Sequence, residues 1–207
     1  MKKLKTIIPF SILGITALLA ACNPEEDQEL PTYSQVVFND DFEWFTQGNL
    51  EANTWTHEVK QGNKPWKFET RSNNSYLYFT GFVNNNDTSG ATKDPVNESW
   101  IISKEINLDQ AKLKRLTFSS TQGYVTDITK NDLDVFVIHN ITETTADTVK
   151  LNFNKPVLNQ GNFKWVNSGI ISLGEFKGNI KIAFKATGSG TDGNADGTYE
   201  VDNVKVF

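Results

Sequence analysis

Past residue 33, no stretch of this chain keeps an apolar i, i+3, i+4, i+7 pattern for three turns. Instead, β-branched and aromatic residues come in short runs cut by clusters of Asn, Gly, Asp and Thr. That punctuation points to one all-β antiparallel domain, a β-sandwich or jelly roll rather than a propeller. The runs predict strands near Gln35–Phe38, Trp55–Lys60, Trp66–Thr70, Ser75–Thr80, Ser99–Ile102 and Leu113–Gln122. Others are expected near Leu133–Ile138, Lys150–Asn152, Lys164–Leu173, Ile180–Ala186 and Thr198–Val206. Leu108 to Leu113 has room for one helical turn at most. Leu133–Ile138 is apolar on both faces beyond its start and is expected to be central. Polar stretches at 84–95 and 188–197 read as exposed loops, and no repeat or second domain is visible.

The N-terminus reads as an address. Lys2, Lys3 and Lys5 precede an apolar segment from Ile7 to Leu19, and Leu19-Ala20-Ala21-Cys22 closes it. The segment carries Pro9 and Gly14 and is short for a membrane span of about 20 residues. It resembles a bacterial lipoprotein signal, which implies cleavage before Cys22 and lipidation there. The expected organisation is a lipoprotein signal peptide over 1–21, an acidic tether over 22–33 and a sandwich domain over 34–207. The run Asn23-Pro-Glu-Glu-Asp-Gln-Glu29 resembles surface-export signals of Bacteroidetes lipoproteins. It implies an outer-membrane lipoprotein facing the cell surface.

Cys22 is the only cysteine, so no intrachain disulfide can form and the domain must be held by its own core. Losing the three signal lysines takes the formal charge from −5 to −8. Such a chain is a poor partner for nucleic acid or acidic membrane surfaces, which attract clustered Lys and Arg.

The closing stretch, Asp192 to Phe207, is a glycine-rich acidic turn running into a strand. Strand alternation puts Tyr199, Val201 and Asn203 on one side and Glu200, Asp202, Val204 and Val206 on the other. Asp202 then shares a face with two valines, where a carboxylate is costly unless paired or metal-bound. Asp192, Asn194, Asp196 and Gly197 match the opening of a calcium loop. The twelfth position is Asn203 rather than glutamate, and the same residues also suit a plain turn.

Several segments line up in order. Asp41-Phe-Glu43 comes first, then Trp100-Ile-Ile-Ser103, Leu116-Thr-Phe-Ser-Ser120, Leu133-Asp-Val-Phe-Val137, Gly178-Asn-Ile-Lys-Ile-Ala-Phe184 and Tyr199-Glu-Val-Asp-Asn-Val204. Together they resemble the jelly-roll domains called choice-of-anchor J or cleaved adhesin, and are similar to MAM domains and calcium-binding carbohydrate-binding modules. The resemblance implies a β-sandwich, a structural Ca2+ ion, and adhesion or glycan binding rather than catalysis. It also implies that Asp41 or Glu43 binds that ion jointly with Asp202, fastening the first strand to the last. The stretch Ile138 to Asp147 departs from the family pattern, so no ligand role is carried to it.

Five tryptophans offer flat faces for stacking on sugar rings, although large aromatics usually fill a sandwich core. Trp100 and Trp165 lie among apolar strand neighbours and are expected in the core. Trp55 and Trp66 flank a polar, hairpin-like stretch and are the expected glycan-binding surface residues. The two histidines, His57 and His139, stand in unrelated segments, and no nucleophile elbow, zinc-protease motif or phosphate loop occurs. Asp147-Thr148-Val149 fits a short O-glycosylation pattern of Bacteroidetes secreted proteins, with Thr148 as the acceptor. The reading is a lipid-anchored envelope protein that binds glycan or glycoprotein and is not an enzyme. Its alternatives are an assembly lipoprotein holding another envelope protein and, third, a hydrolase.

Overall fold

A computed structural model describes residues 35–45, 55–84, 93–158 and 161–207. The signal segment, Cys22 and the tether lie outside the described residues, as does most of the 84–95 loop. The strands in chain order are β1 (Phe38–Asp40), β2 (Trp55–Gln61), β3 (Lys67–Arg71), β4 (Asn74–Thr80), β5 (Asn97–Ser103) and β6 (Ile106–Asn107). They continue with β7 (Arg115–Gly123), β8 (Leu133–His139), β9 (Asp147–Leu151), β10 (Val166–Asn167), β11 (Ile171–Ser172), β12 (Asn179–Gly188) and β13 (Thr198–Val206). One sheet runs β10-β7-β13-β4-β3, with β1 also on β13 and β11 on β7. The other runs β2-β5-β12-β8-β9, with β6 on β12. Every pairing is antiparallel, and the whole is a jelly-roll β-sandwich.

Alternation explains the core. Ile180, Ile182, Phe184 and Ala186 of β12 point inward, as do Leu116 and Phe118 of β7 and Leu77 and Phe79 of β4. Phe184 is the hub: its ring lies 5.0 Å from Phe118 and 6.1 Å from Trp55. Burying each such side chain contributes about 1.5–3 kcal/mol, which lets a domain without disulfides hold together.

Several expectations are corrected. The first strand begins at Phe38 rather than Gln35. The expected strand over Lys164–Leu173 is two short bridges to β7, interrupted at Gly169, whose φ of 74° suits glycine. β8 is interior but lies beside the central β12, and its outer residues Phe136 and Ile138 are only half-buried. Leu108–Gln110 forms a single 3-10 turn.

Trp55 and Trp66 are not surface residues; they are 5% and 3% exposed. The stretch between them is no hairpin, because β2 and β3 belong to different sheets. The chain there crosses the edge of the core, and the residues at its two ends plug that edge. The Trp55 indole donates to Asp40 Oδ2 (2.8 Å), and the Trp66 indole donates to the Ser99 carbonyl (3.1 Å). Trp165, expected inside, is 38% exposed, and Trp100 is half-buried on an outer sheet face.

The closing strand departs from simple alternation as well. Its register against β7 shifts between Asp202 and Lys205, and Asn203 takes a left-handed φ of 55°. This bulge lets Tyr199 and Val201 before it, and Val204 and Val206 after it, all enter the core. Asp202 therefore does not share the face of Val204 and Val206. It points with Glu200 to the outside of the sheet.

Candidate functional site

The outer face of the seven-stranded sheet can be read from its register. Glu200 of β13 lies between Tyr78 of β4 and Thr121 of β7, and Asp202 is opposite Ser119. On the far side β3 adds Lys67, Glu69 and Arg71, paired with Tyr78, Tyr76 and Asn74. Part of this face floors a groove. One half, about 490 Å³, is lined by Asn74, Tyr76, Trp165, Glu200 and Asp202. The other, about 610 Å³, is lined by Tyr78, Phe82, Tyr124, Asp196 and Thr198. Arg71 and Phe163 line both halves.

The aromatic bank comes from the chain that follows β9. The Phe163 N–H donates to the Gln122 carbonyl (2.7 Å), and Asn162 Oδ1 accepts from the Tyr124 N–H (2.8 Å). These bonds lay the Phe163 ring flat on the backbone of β7, where Gly123 leaves room for it. A Cβ at Gly123 would collide with that ring. Tyr124 meets Phe163 edge-on at 5.8 Å, and Trp165 meets Tyr76 in the same manner at 5.8 Å. The Arg71 guanidinium reaches over from the β3–β4 turn to 6.0 Å from the Phe163 centroid, marking the waist between the halves.

The floor carries two buried carboxylates. Glu200 is 3% exposed and Asp202 is 4% exposed. Burial pushes Glu200 up to about 7, against the Tyr76 hydroxyl and Arg71, which favour its ionised form; Glu69 adds to the rise. Burial also pushes Asp202 up to about 6. The Asn203 N–H (2.6 Å) and the Asn74 amide (3.2 Å) offset part of that, while Glu43 and Asp41 add to it. Burial, reinforced by Glu200, takes Tyr76 to about 12.

The expected calcium residues can now be placed. Asp41 and Glu43 are exposed, and both act electrostatically on Asp202, so the three carboxyls share one neighbourhood. Asp41 Oδ1 accepts from the Glu43 N–H, and Glu43 Oε1 accepts from the Ser75 N–H. In the 188–197 turn, Asp192 accepts from the Asn194 N–H (3.0 Å) and pairs with Lys130 (3.0 Å). The Asn194 carbonyl accepts from the Thr126 hydroxyl, and burial raises Asp196. Among the described residues, no group of three or more His, Cys, Asp and Glu side chains converges at metal-ligating distance. Thr148 is exposed on β9, an edge strand.

The sequence reading missed Asp40 and the groove itself. Asp40 is buried and accepts from the Phe42 N–H (3.0 Å), the Trp44 indole (2.7 Å) and the Trp55 indole (2.8 Å). Three donors to one carboxylate make it a clip for the chain entering the sandwich. The signal for the groove was the i, i+2 pair Glu200 and Asp202, had the bulge been foreseen.

No family model matches this chain, and no curated protein matches it. Solved structures do resemble it. Two cleaved adhesin domains of Lys-gingipain from Porphyromonas gingivalis are 15% and 13% identical, with TM-scores of 0.47 and 0.49. The first match covers 82% of this chain and 96% of that one; the second covers 83% and 99%. A xylan-binding domain, CBM22-1 of Paenibacillus barcinonensis Xyn10C, is 16% identical over 86% of this chain and 96% of that one, with a TM-score of 0.44. At such identities the likeness is one of fold.

Proposed function

We propose that the groove on the seven-stranded sheet captures glycan, free or on a glycoprotein. The observation that carries this reading is the pairing of aromatic faces with buried polar groups in one open groove. Trp165, Tyr124 and Phe163 offer surfaces for the C–H faces of sugar rings, and Glu200, Asp202 and Asn74 offer hydrogen bonds to hydroxyls. The glycan-contacting tryptophan on this reading is Trp165, in place of Trp55 and Trp66. A glycan array probed with the full chain, with and without calcium, tests it. Binding that Trp165→Ala weakens about tenfold or more supports the reading. Blanks under both conditions overturn it.

The wider proposal is a lipid-anchored outer-membrane protein of the choice-of-anchor J or cleaved-adhesin type, held by Cys22 and carried on its acidic tether to face the cell surface. Cys22→Ser should release the protein from the membrane fraction. A structural calcium ion held by Asp202 with Asp41 or Glu43 belongs to the same proposal, supported by the electrostatic proximity of the three. The turn bearing Asp192, Asn194 and Asp196 is the alternative place for it. Hydrolysis is the second reading, favoured by one observation: a carboxyl poised near neutrality, Glu200, beside a second one in a groove. New reducing ends released from a bound polysaccharide would establish it; stable binding without them supports capture.

A further inference from the structure

We infer that the groove sorts glycans by charge, admitting neutral or amine-bearing chains and rejecting those with uronate, sulfate or phosphate groups. The inference rests on the glycan reading above and assigns the selectivity to Glu200 and Asp202.

These residues stand two apart on one face of β13, so their backbones are roughly 6.6 Å apart. Both side chains are more than nine-tenths buried at the groove floor. Among the described residues lining the groove, Arg71 is the only cation, and it lies at the waist against Phe163. What faces the pair can be named element by element. From β3 come Glu69, Arg71 and, toward the strand's start, Lys67; from β4 come the Tyr76 and Tyr78 hydroxyls and the Asn74 amide. β7 contributes the hydroxyls of Ser119 and Thr121, the turn after β1 adds Asp41 and Glu43, and β13 itself adds Lys205 past the bulge, opposite Thr117 on the same outer face. Acid outweighs base on this floor.

The Tyr76 hydroxyl lies close enough to Glu200 to favour its ionised form, and the Asn203 N–H and Asn74 amide already donate to Asp202. Each carboxylate has about four acceptor sites, so both keep room for donors from a ligand. Neutral sugar hydroxyls supply such donors, and an ammonium supplies them with favourable charge. A uronate or sulfate supplies acceptors and places like charge over the two carboxylates.

The test uses the full chain in EDTA, so that no divalent cation masks the floor. The probes are cello-, manno- and galacto-oligosaccharides, each beside its C6-oxidised uronate form, together with glucosamine oligomers, all measured at pH 8. At pH 8 the neutral form of any backbone that binds should exceed its uronate form by about tenfold or more. Glu200→Gln with Asp202→Asn should collapse the ratio at pH 8. Equal binding of neutral and uronate forms, or a ratio unmoved by the double substitution in a folded variant, would overturn the charge filter alone. Absence of binding by every probe and by the array would overturn the glycan reading with it. The comparison of neutral with uronate forms uses the unaltered protein, so misfolding of the double variant leaves the inference testable.

Discussion

Replacing Glu200 by glutamine should stabilise the fold, and only where the native carboxyl is being forced to ionise. In the unfolded chain this glutamate ionises near its ordinary 4.5, whereas in the folded protein burial holds it up to about 7. Between those values the unfolded state is charged while the folded state keeps its proton. Stability therefore falls as pH rises through that window, and the loss is complete above it. At about 1.36 kcal/mol per pKa unit the displacement is worth roughly 3 kcal/mol. Water in an open groove screens the charge, leaving about 1–2 kcal/mol. Glutamine keeps the side-chain shape and an acceptor for the Tyr76 hydroxyl while removing the charge. Asp202 titrates in an overlapping window but is present in both proteins, so it largely cancels from the difference. Thermal melts followed by circular dichroism at pH 4, 6 and 8 read the effect. The two proteins should melt together at pH 4, and the variant should melt roughly 2–8 °C higher at pH 8. A difference independent of pH, or a variant less stable at pH 8, would refute the view of Glu200 as a desolvated carboxyl under strain.

Three further outcomes are expected. Asp40→Ala removes the acceptor of two indoles and one backbone N–H, and should cost about 3 kcal/mol or more in denaturant unfolding, with Asp40→Asn costing less. Gly123→Ala drives a methyl into the Phe163 ring and should cost about 1–3 kcal/mol while weakening glycan binding. Phe163→Gly should relieve most of that cost in the double variant, and its failure to do so would place the clash elsewhere. Chelation should lower the melting temperature if calcium fastens Asp202 to Asp41 or Glu43; no shift, with no metal in the purified protein, removes the ion.

The strand content was legible because alternation is a local property. β12 reads inward-outward through Ile180, Lys181, Ile182, Ala183 and Phe184 with no help from tertiary structure. The site was less legible because two of its determinants are not local. A bulge needs one extra residue opposite a partner strand, so Asn203 alone could not reveal that Val201 and Val204 share the core while Asp202 turns outward. Whether a tryptophan is buried depends on which sheet each neighbouring strand joins. Trp55 and Trp66 bracket a polar stretch that resembles a hairpin, yet the stretch passes between sheets and the rings seal the core. Trp165 sits in an apolar run, yet that run is broken at Gly169 into two bridges at the edge of the sheet, and the ring stays exposed beside the groove.

The four buried carboxylates on β1, β8 and β13 separate what the fold needs from what the groove is for. Asp40 is satisfied by three N–H donors. Burial would raise Asp134, but Lys150 (2.7 Å) and Lys155 (3.1 Å) outweigh it and hold its carboxyl low, with Lys185 at 3.5 Å. Both are compensated, as buried charges in a stable core must be. Glu200 and Asp202 are not, and each is pushed up by its surroundings. The adjacent strand fills the corresponding face with Ser119 and Thr121, which fit the pleat without that penalty. A serine or threonine at 200 or 202 would remove the strain from the sheet at once. Among the described residues, the carboxylates cost stability at the place where aromatic rings, an open groove and an acidic floor coincide, so their explanation lies in what the groove holds rather than in how the sandwich stands.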